Sequence, residues 1–235
     1  MAYLEHSVAH SESAASGADR GLAALAADTA RQSRTQRLGQ HSIIFYEGDT
    51  ADRVYELSAG TVMLYKLLPD GRRQVVEVLT PGMVFGVSAG ETYDCSAETL
   101  TPSAVLSHER REVEETASLQ RHVSRCLMAQ MERMHDHAVL LGRKSALERV
   151  STFFIRMVPN RGGEGCIGPA DADIDTHDIV LAMTRQEIAD YLGLTIETVS
   201  RVISELKRRG LVRVERQDSI HITRVCGICQ LSGMH

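Results

Sequence analysis

Two short amphipathic segments joined by a single glycine, within residues 183–212, constrain the fold of this chain more than any other feature. Thr184 followed three residues later by Glu187 is a capping-box pattern, which predicts the start of a helix. Gly193 can adopt a positive φ and end that helix, and Thr195 is a favoured residue for capping the next one. Two helices joined by so short a turn are typical of a helix-turn-helix motif.

The second predicted helix spans residues 196–209 and has one apolar face and one polar face. The apolar face consists of Val199, Ile203 and Leu206. Residues 211–224 then alternate apolar and polar, and the alternation breaks at Gln217-Asp218. This pattern predicts two strands, so we interpret the segment as the wing of a winged helix-turn-helix.

Residues 39–111 differ in pattern from the helix-turn-helix segment, because they contain short β-rich runs separated by glycines. The runs are residues 42–46, 54–57, 62–68 and 74–79, and the glycines lie at positions 48, 60, 71, 82 and 86. Asp70-Gly71 between two of the runs is a strong hairpin signal. Short strands with regular glycines indicate a compact β-barrel or β-roll. The chain is therefore predicted to be an α+β protein.

Residues 112–144 contain no proline and predict one long helix. Apolar side chains recur there every three or four positions, which keeps them on one face. A helix of about 30 residues extends about 45 Å, and a narrow apolar stripe of that length usually packs against a partner helix. We predict a dimeric coiled coil; a core helix lying on the β-roll is the alternative. The predicted dimer interface consists of Val123, Leu127, Met131, Met134, Ala138 and Leu141.

The predicted organisation has four parts. Residues 1–38 are expected to form a mobile arm, 39–111 the β-roll, 112–158 the long helix and a following helix, and 159–235 the winged helix-turn-helix with its linker. The sequence has neither an apolar run near the ~18 residues of a membrane span nor a secretory signal pattern. We therefore expect a cytoplasmic protein that does not bind membranes. Most of its five scattered cysteines are expected to be thiols.

This order of elements resembles the CRP/FNR superfamily of bacterial transcription regulators, and its FNR/FixK branch in particular. The resemblance covers residues 39–224 and is most specific in LAMTRQEIADYLGLTIETVSRVISELKRRGLV. It implies a homodimer that binds a double-stranded DNA operator resembling TTGA-N6-TCAA. It further implies contact with RNA polymerase and activation of genes for oxygen limitation and anaerobic or microaerobic growth. A member of this family is a regulator and not an enzyme.

Three side chains at the start of the second helix match the family's DNA-reading pattern, namely Glu197, Ser200 and Arg201. An arginine can donate two hydrogen bonds to guanine O6 and N7, and a glutamate can accept one from cytosine N4. The alternative is a solvated Glu–Arg pair, which stabilises a helix by only about 0.2–0.5 kcal/mol. The predicted phosphate contacts are Thr184, Arg185, Thr195, Thr198, Lys207 and Arg208. For the last two, compensation of the helix dipole is the other interpretation.

The β-roll departs from the family members that bind cyclic AMP. Those carry a Gly-Glu pair and a later Arg-Ser pair, whereas this chain has Gly86-Val87 and Cys95-Ser96. Without the arginine, an anionic cyclic phosphate would be buried unpaired, which is costly. An iron–sulfur cluster needs several cysteines, but no cysteine precedes Cys95 and Leu106 occupies the position of the family's later ligand. No cofactor is therefore expected.

Cys226 and Cys229, in VCGIC, form a Cys-x-x-Cys pattern that can bind a metal or form a strained disulfide. A zinc site needs more ligands than this pair, so the pattern is a weak signal. It leaves open an alternative function, a redox-, metal- or haem-responsive sensor of the same superfamily. His135 and His137 on the long helix are predicted to be surface polar residues.

Overall fold

The computed structural model of the protein describes residues 34–161, 166, 168 and 175–233, which divide into two compact units. The division falls between His135 and Asp136. The predicted α+β class is confirmed, since each unit combines helices with antiparallel strands. Within the described ranges, no helix is both long enough and apolar enough to cross a membrane.

The first unit is built from two four-stranded antiparallel sheets. Its strands are β1 Arg34–Leu38, β2 Ile43–Phe45, β3 Arg53–Ala59, β4 Val62–Leu67, β5 Arg73–Leu79, β6 Val84–Phe85, β7 Ser96–Thr99 and β8 Ser103–Glu109. One sheet has the order β1-β8-β3-β6 and the other β2-β7-β4-β5. The predicted strands in residues 42–79 are therefore present, and the first strand, β1, begins within the segment predicted to be a mobile arm. That prediction is wrong for residues 34–38; residues 1–33 lie outside the described part.

Local signals explain how the first unit closes around its core. Gly71 has a φ of +84° in the turn between β4 and β5, where Leu68 accepts a hydrogen bond from the Gly71 backbone at 2.9 Å. This confirms the predicted hairpin. Inside, the rings of Phe45 and Tyr93 stack with centroids 3.8 Å apart, and Tyr55 and Phe85 extend the cluster. Such aromatic pairs stabilise the fold by more than the burial of their apolar area alone.

The predicted helix of residues 112–144 is two helices, α1 Arg110–Glu115 and α2 Ala117–Arg143. The break is at Thr116, whose backbone is extended and whose carbonyl accepts the first hydrogen bond of α2 from Gln120 at 3.0 Å. Threonine is common at helix boundaries because its hydroxyl can bond to nearby backbone groups in non-helical conformations. The prediction of a single helix is therefore wrong at this residue.

Helix α2 has one face against the sheets and another exposed to solvent. Val123 and Cys126 pack on the buried valines Val54, Val84 and Val113, and the buried Gln130 side chain donates to the Val84 carbonyl at 2.7 Å. The exposed face carries Leu127, Met128, Met131 and Met134, whose exposed fractions are 39%, 64%, 53% and 54%. Val123, one of the predicted interface residues, thus lies on the core-facing side of α2, and the larger apolar residues do not. The dimeric coiled coil stays a prediction.

Among its described residues, the second unit has four helices after α2 and a three-stranded antiparallel sheet. After the end of α2, its elements are α3 Ala146–Ile155, β9 His177–Val180, α4 Arg185–Leu192, α5 Ile196–Arg208, β10 Val212–Val214, β11 Ser219–Ile222 and α6 Val225–Ser232. The sheet order is β10-β11-β9. The two predicted wing strands are present, and β9, which was not predicted from the sequence, adds a third.

Helix α6 carries the Cys-x-x-Cys pattern and was not predicted from the sequence. Val225 and Ile228 are buried, and the Ser232 carbonyl accepts a hydrogen bond from Lys144 Nζ at 2.8 Å. The helix therefore packs on α3 and closes the unit, with its first backbone amide bonded to the Asp175 carbonyl at 2.9 Å.

Candidate nucleic-acid interface

Helix α4 begins as the sequence predicts. The Thr184 backbone N–H donates to Glu187 Oε2 at 2.6 Å, and the Glu187 N–H donates back to Thr184 Oγ1 at 3.3 Å. The capping box is therefore confirmed, and it satisfies two backbone donors that a helix start leaves unpaired. Ile188 and Leu192 are fully buried, which fixes the face of α4 that meets the core.

The turn after α4 is held by glycine geometry and by an arginine from α3. Gly193 has a φ of +60° and ends α4 in the left-handed conformation, as predicted. Arg149 donates to the Leu192 carbonyl at 2.9 Å, and also to the carbonyls of Lys144 and Leu141 at 2.8 and 2.6 Å. One guanidinium thus ties the end of α4 to the end of α2. Sequence reasoning missed this role because it depends on contacts between segments far apart in the chain.

Helix α5 separates packing residues from solvent-facing residues. Val199, Ile203 and Leu206 are buried, with exposed fractions of 0%, 5% and 0%. The three predicted base-reading residues, Glu197, Ser200 and Arg201, are all exposed on the other face. The predicted division of the helix into two faces is therefore confirmed.

A chain of hydroxyl groups positions the first turn of α5. Thr195 caps the helix by accepting from the Thr198 N–H at 3.3 Å, and the two threonine hydroxyls lie 3.1 Å apart. Arg201 Nη2 donates to Thr198 Oγ1 at 3.1 Å. The Glu197 carboxyl has a lowered pKa because its own backbone N–H and the Thr195 side chain bond to it, with Arg201 adding a smaller effect. Four predicted contact residues are thus brought together at one helix end.

The remaining predicted phosphate contacts lie in different settings. Lys207 and Arg208 are exposed in the last turn of α5, and Arg208 pairs with Glu205 at 3.2 Å. Thr184 is exposed at the start of α4, but Arg185 beside it is half-buried, and burial lowers the pKa of its guanidinium. Nη1 of Arg185 is buried with no hydrogen-bond partner among the described residues. Arg185 is therefore less accessible than the exposed Thr184 beside it.

The structure also bears on the predictions made for two histidines and for the Cys-x-x-Cys pattern. His137 is a correction: it is only 8% exposed, and its ring stacks on Tyr191, whereas His135 is exposed as predicted. Cys226 and Cys229 lie on α6, and burial raises the pKa of both thiols. A raised pKa keeps a thiol protonated, which weakens it as a metal ligand or nucleophile.

Comparisons with known proteins agree with this architecture. Residues 181–212 match the family described as bacterial regulatory proteins, crp family, and residues 35–118 match the cyclic nucleotide-binding domain. The nitrogen fixation regulation protein FixK of Rhizobium meliloti is 37% identical over 77% of this chain and 79% of that protein. The transcriptional activatory protein AadR of Rhodopseudomonas palustris is 36% identical over 75% of this chain and 72% of that protein.

A solved structure is similar over nearly its whole length. The structure of FixK2 from Bradyrhizobium japonicum has 32% sequence identity, a TM-score of 0.70, and coverage of 85% of this chain and 96% of that one. A β-roll followed by a winged helix-turn-helix defines a two-domain regulatory protein rather than an enzyme, as predicted. The chain belongs to the CRP/FNR family of bacterial transcription regulators and, within it, is similar to FixK.

Proposed function

We propose that this protein is a homodimeric, FixK-like activator that reads a DNA palindrome resembling TTGA-N6-TCAA through helix α5. The observation that carries the proposal is the exposed set Glu197, Ser200 and Arg201, held beside the hydroxyl chain of Thr195 and Thr198. Arg201 is an exposed fork that donates a hydrogen bond to the neutral hydroxyl of Thr198. It can exchange that bond for a bidentate contact to guanine at little cost.

The exposed face of α2 supports the homodimer. Leu127, Met131 and Met134 recur every three or four positions and each exposes more than a third of its surface. A row of large apolar side chains open to water usually marks an interaction surface. A second copy of the same helix is the matching partner, since it offers the same stripe in a closed, two-fold arrangement.

Control by cyclic AMP or by an iron–sulfur cluster is not part of the proposal. Val87 and Cys95 stand at the positions where the cyclic AMP-binding relatives have a glutamate and an arginine. Burial raises the pKa of Cys95 to about 12, so this position offers a neutral thiol in place of a cation. The protein would then bind DNA without a ligand. Contact with RNA polymerase and activation of oxygen-limitation genes are inferred from the similarity to FixK and AadR.

A fluorescence-anisotropy titration tests this proposal. The reduced protein should bind a labelled TTGA-N6-TCAA duplex far more tightly than a duplex with both half-sites scrambled, and millimolar cyclic AMP should leave that ratio unchanged. Equal affinity for the two duplexes would exclude sequence reading, and a large gain with cyclic AMP would exclude ligand-independent binding. An absorbance spectrum of the same preparation tests the alternative sensor function, because a haem or cluster band would support it.

A further inference from the structure

Potential metal ligands meet on the three-stranded sheet of the second unit. Asp178 lies on β9, His221 lies on β11, and Glu215 directly follows β10. One ligand atom from each residue lies within 4.8 Å of the other two. Asp178 is far from the other two in sequence, so only the fold brings it beside the hairpin that carries Glu215 and His221.

The register of the sheet fixes this arrangement. His221 is paired directly with Asp178 across β11 and β9, which places both side chains on the same face. His221 Nδ1 and Asp178 Oδ1 lie 2.6 Å apart. The Glu215 backbone N–H donates to the Ser219 carbonyl at 3.1 Å, so the start of the wing loop is held beside β11.

We propose that Asp178, Glu215 and His221 bind a divalent metal ion of the zinc class. One imidazole nitrogen and two carboxylate oxygens are a ligand set that zinc accepts, with water in the fourth position. At Zn–N and Zn–O distances of about 2.0–2.2 Å, tetrahedral ligand atoms lie about 3.3 Å apart. The His221–Asp178 contact therefore has to lengthen slightly and Glu215 has to move closer.

The surroundings permit that adjustment. The Asp178 side chain is 73% exposed and can rotate, whereas the His221 side chain is 25% exposed and stays anchored in the sheet. Arg213 faces His221 from β10, but its single positive charge is outweighed by two carboxylates. On binding the ion through Nδ1, the neutral imidazole of His221 carries its single proton on Nε2.

An ion at this position would join three segments of the winged sheet and cancel the charge of two carboxylates. On the unit that carries the candidate DNA-reading helix, a loss of negative charge favours approach to phosphates. Zinc is thus expected to tighten DNA binding, a consequence that rests on the proposed function.

Isothermal titration of zinc chloride into the full-length reduced protein tests the site itself. The wild-type chain should bind an ion that Asp178→Asn, Glu215→Gln and His221→Gln each bind at least tenfold more weakly. Asp218→Asn is the matched control, since it removes an exposed carboxylate from the same wing without removing a ligand. A Cys226→Ser/Cys229→Ser double variant should retain the site. Thermal melts in chelator show that each variant is folded.

The outcomes separate the site from its consequence. Unchanged affinity in both Asp178→Asn and Glu215→Gln, or loss of binding confined to the cysteine variant, would overturn the proposal. Zinc binding by the wild type with no change in DNA affinity would leave the site in place and refute its effect on DNA. Failure of the protein to bind any operator would refute the proposed function, while the zinc titration would still decide on the site.

Discussion

The ring of His137, near the end of α2, stacks on the ring of Tyr191 in α4, with centroids 4.3 Å apart and planes inclined by 20°. Both ring nitrogens of His137 are buried and have no hydrogen-bond partner within the part of the chain that the structure describes. Burial, with the nearby charges of Arg156 and Arg149, lowers the pKa of His137 to about 4. The stack therefore joins the long helix to the helix-turn-helix through a neutral imidazole.

This burial predicts a specific dependence of stability on pH. A histidine in an unfolded chain titrates near pH 6.5, so between about pH 6.5 and pH 4 the unfolded state binds a proton that the folded state does not. The free energy of unfolding should fall over that window by about 3 kcal/mol at most. Urea unfolding near pH 7.5 and near pH 5 measures the loss. His137→Leu should flatten the dependence, and His135→Leu, an exposed change in the same helix, should not; equal slopes would contradict the assignment.

The dimer is tested at the exposed stripe of α2. Met134→Glu should place like charges against each other at the two-fold seam, and sedimentation should then show a monomer with weakened operator binding. Arg125→Glu is the control, because nine residues earlier it falls on the opposite side of a helix with 3.6 residues per turn. If Met134→Glu remains dimeric, the stripe is not the interface.

Arg201 is tested by specificity rather than by affinity alone. Arg201→Ala should cost about 1–3 kcal/mol per half-site and relax the preference at one base pair. Lys207→Ala should instead weaken binding to all sequences alike and flatten its salt dependence. Binding to the four single-base versions of the half-site, at two salt concentrations, separates these effects. Equal weakening on all four by Arg201→Ala would make Arg201 a phosphate anchor.

Arg149 is predicted to stabilise the second unit through its hydrogen bonds to backbone carbonyls. Arg149→Met keeps much of the side-chain volume but leaves the carbonyls of Leu141, Lys144 and Leu192 without this donor. The loss should be about 2–3 kcal/mol, since hydrogen bonds to a charged group are among the stronger ones. Arg143→Met, which removes an exposed arginine at the end of α2, is the matched control in urea unfolding. A similar loss of unfolding free energy in both variants would show that the contacts from Arg149 to the carbonyls stabilise the unit no more than an exposed arginine does.

The features that could be predicted from sequence are those encoded by neighbouring residues. Thr184 with Glu187, the glycine at 193 and the Asp70-Gly71 turn each act within a few residues, and each has the predicted geometry. The strand β1 was missed because its partner, β8, lies far away in the chain. Pairing of that kind leaves little trace in local composition.

The residues of the candidate site fall into the same two groups: those that could be assigned from local spacing and those that depend on tertiary packing. The exposed and buried faces of α5 follow from helical spacing, so Glu197 and Arg201 could be assigned from sequence. The burial of His137 and the hydrogen bonds from Arg149 to backbone carbonyls depend on how α2, α3 and α4 pack. A single histidine or arginine on a polar helix face gives no local signal of such packing.

The two faces of α5 have a consequence for how such regulators diversify. Val199, Ile203 and Leu206 hold the helix in place, while the exposed side chains on its other face, which we propose to read DNA, contribute little to the folded core. Substitutions on the outer face are then nearly neutral for stability. A duplicated gene can acquire a new set of promoters by changing two or three codons, with the fold of the parent inherited intact.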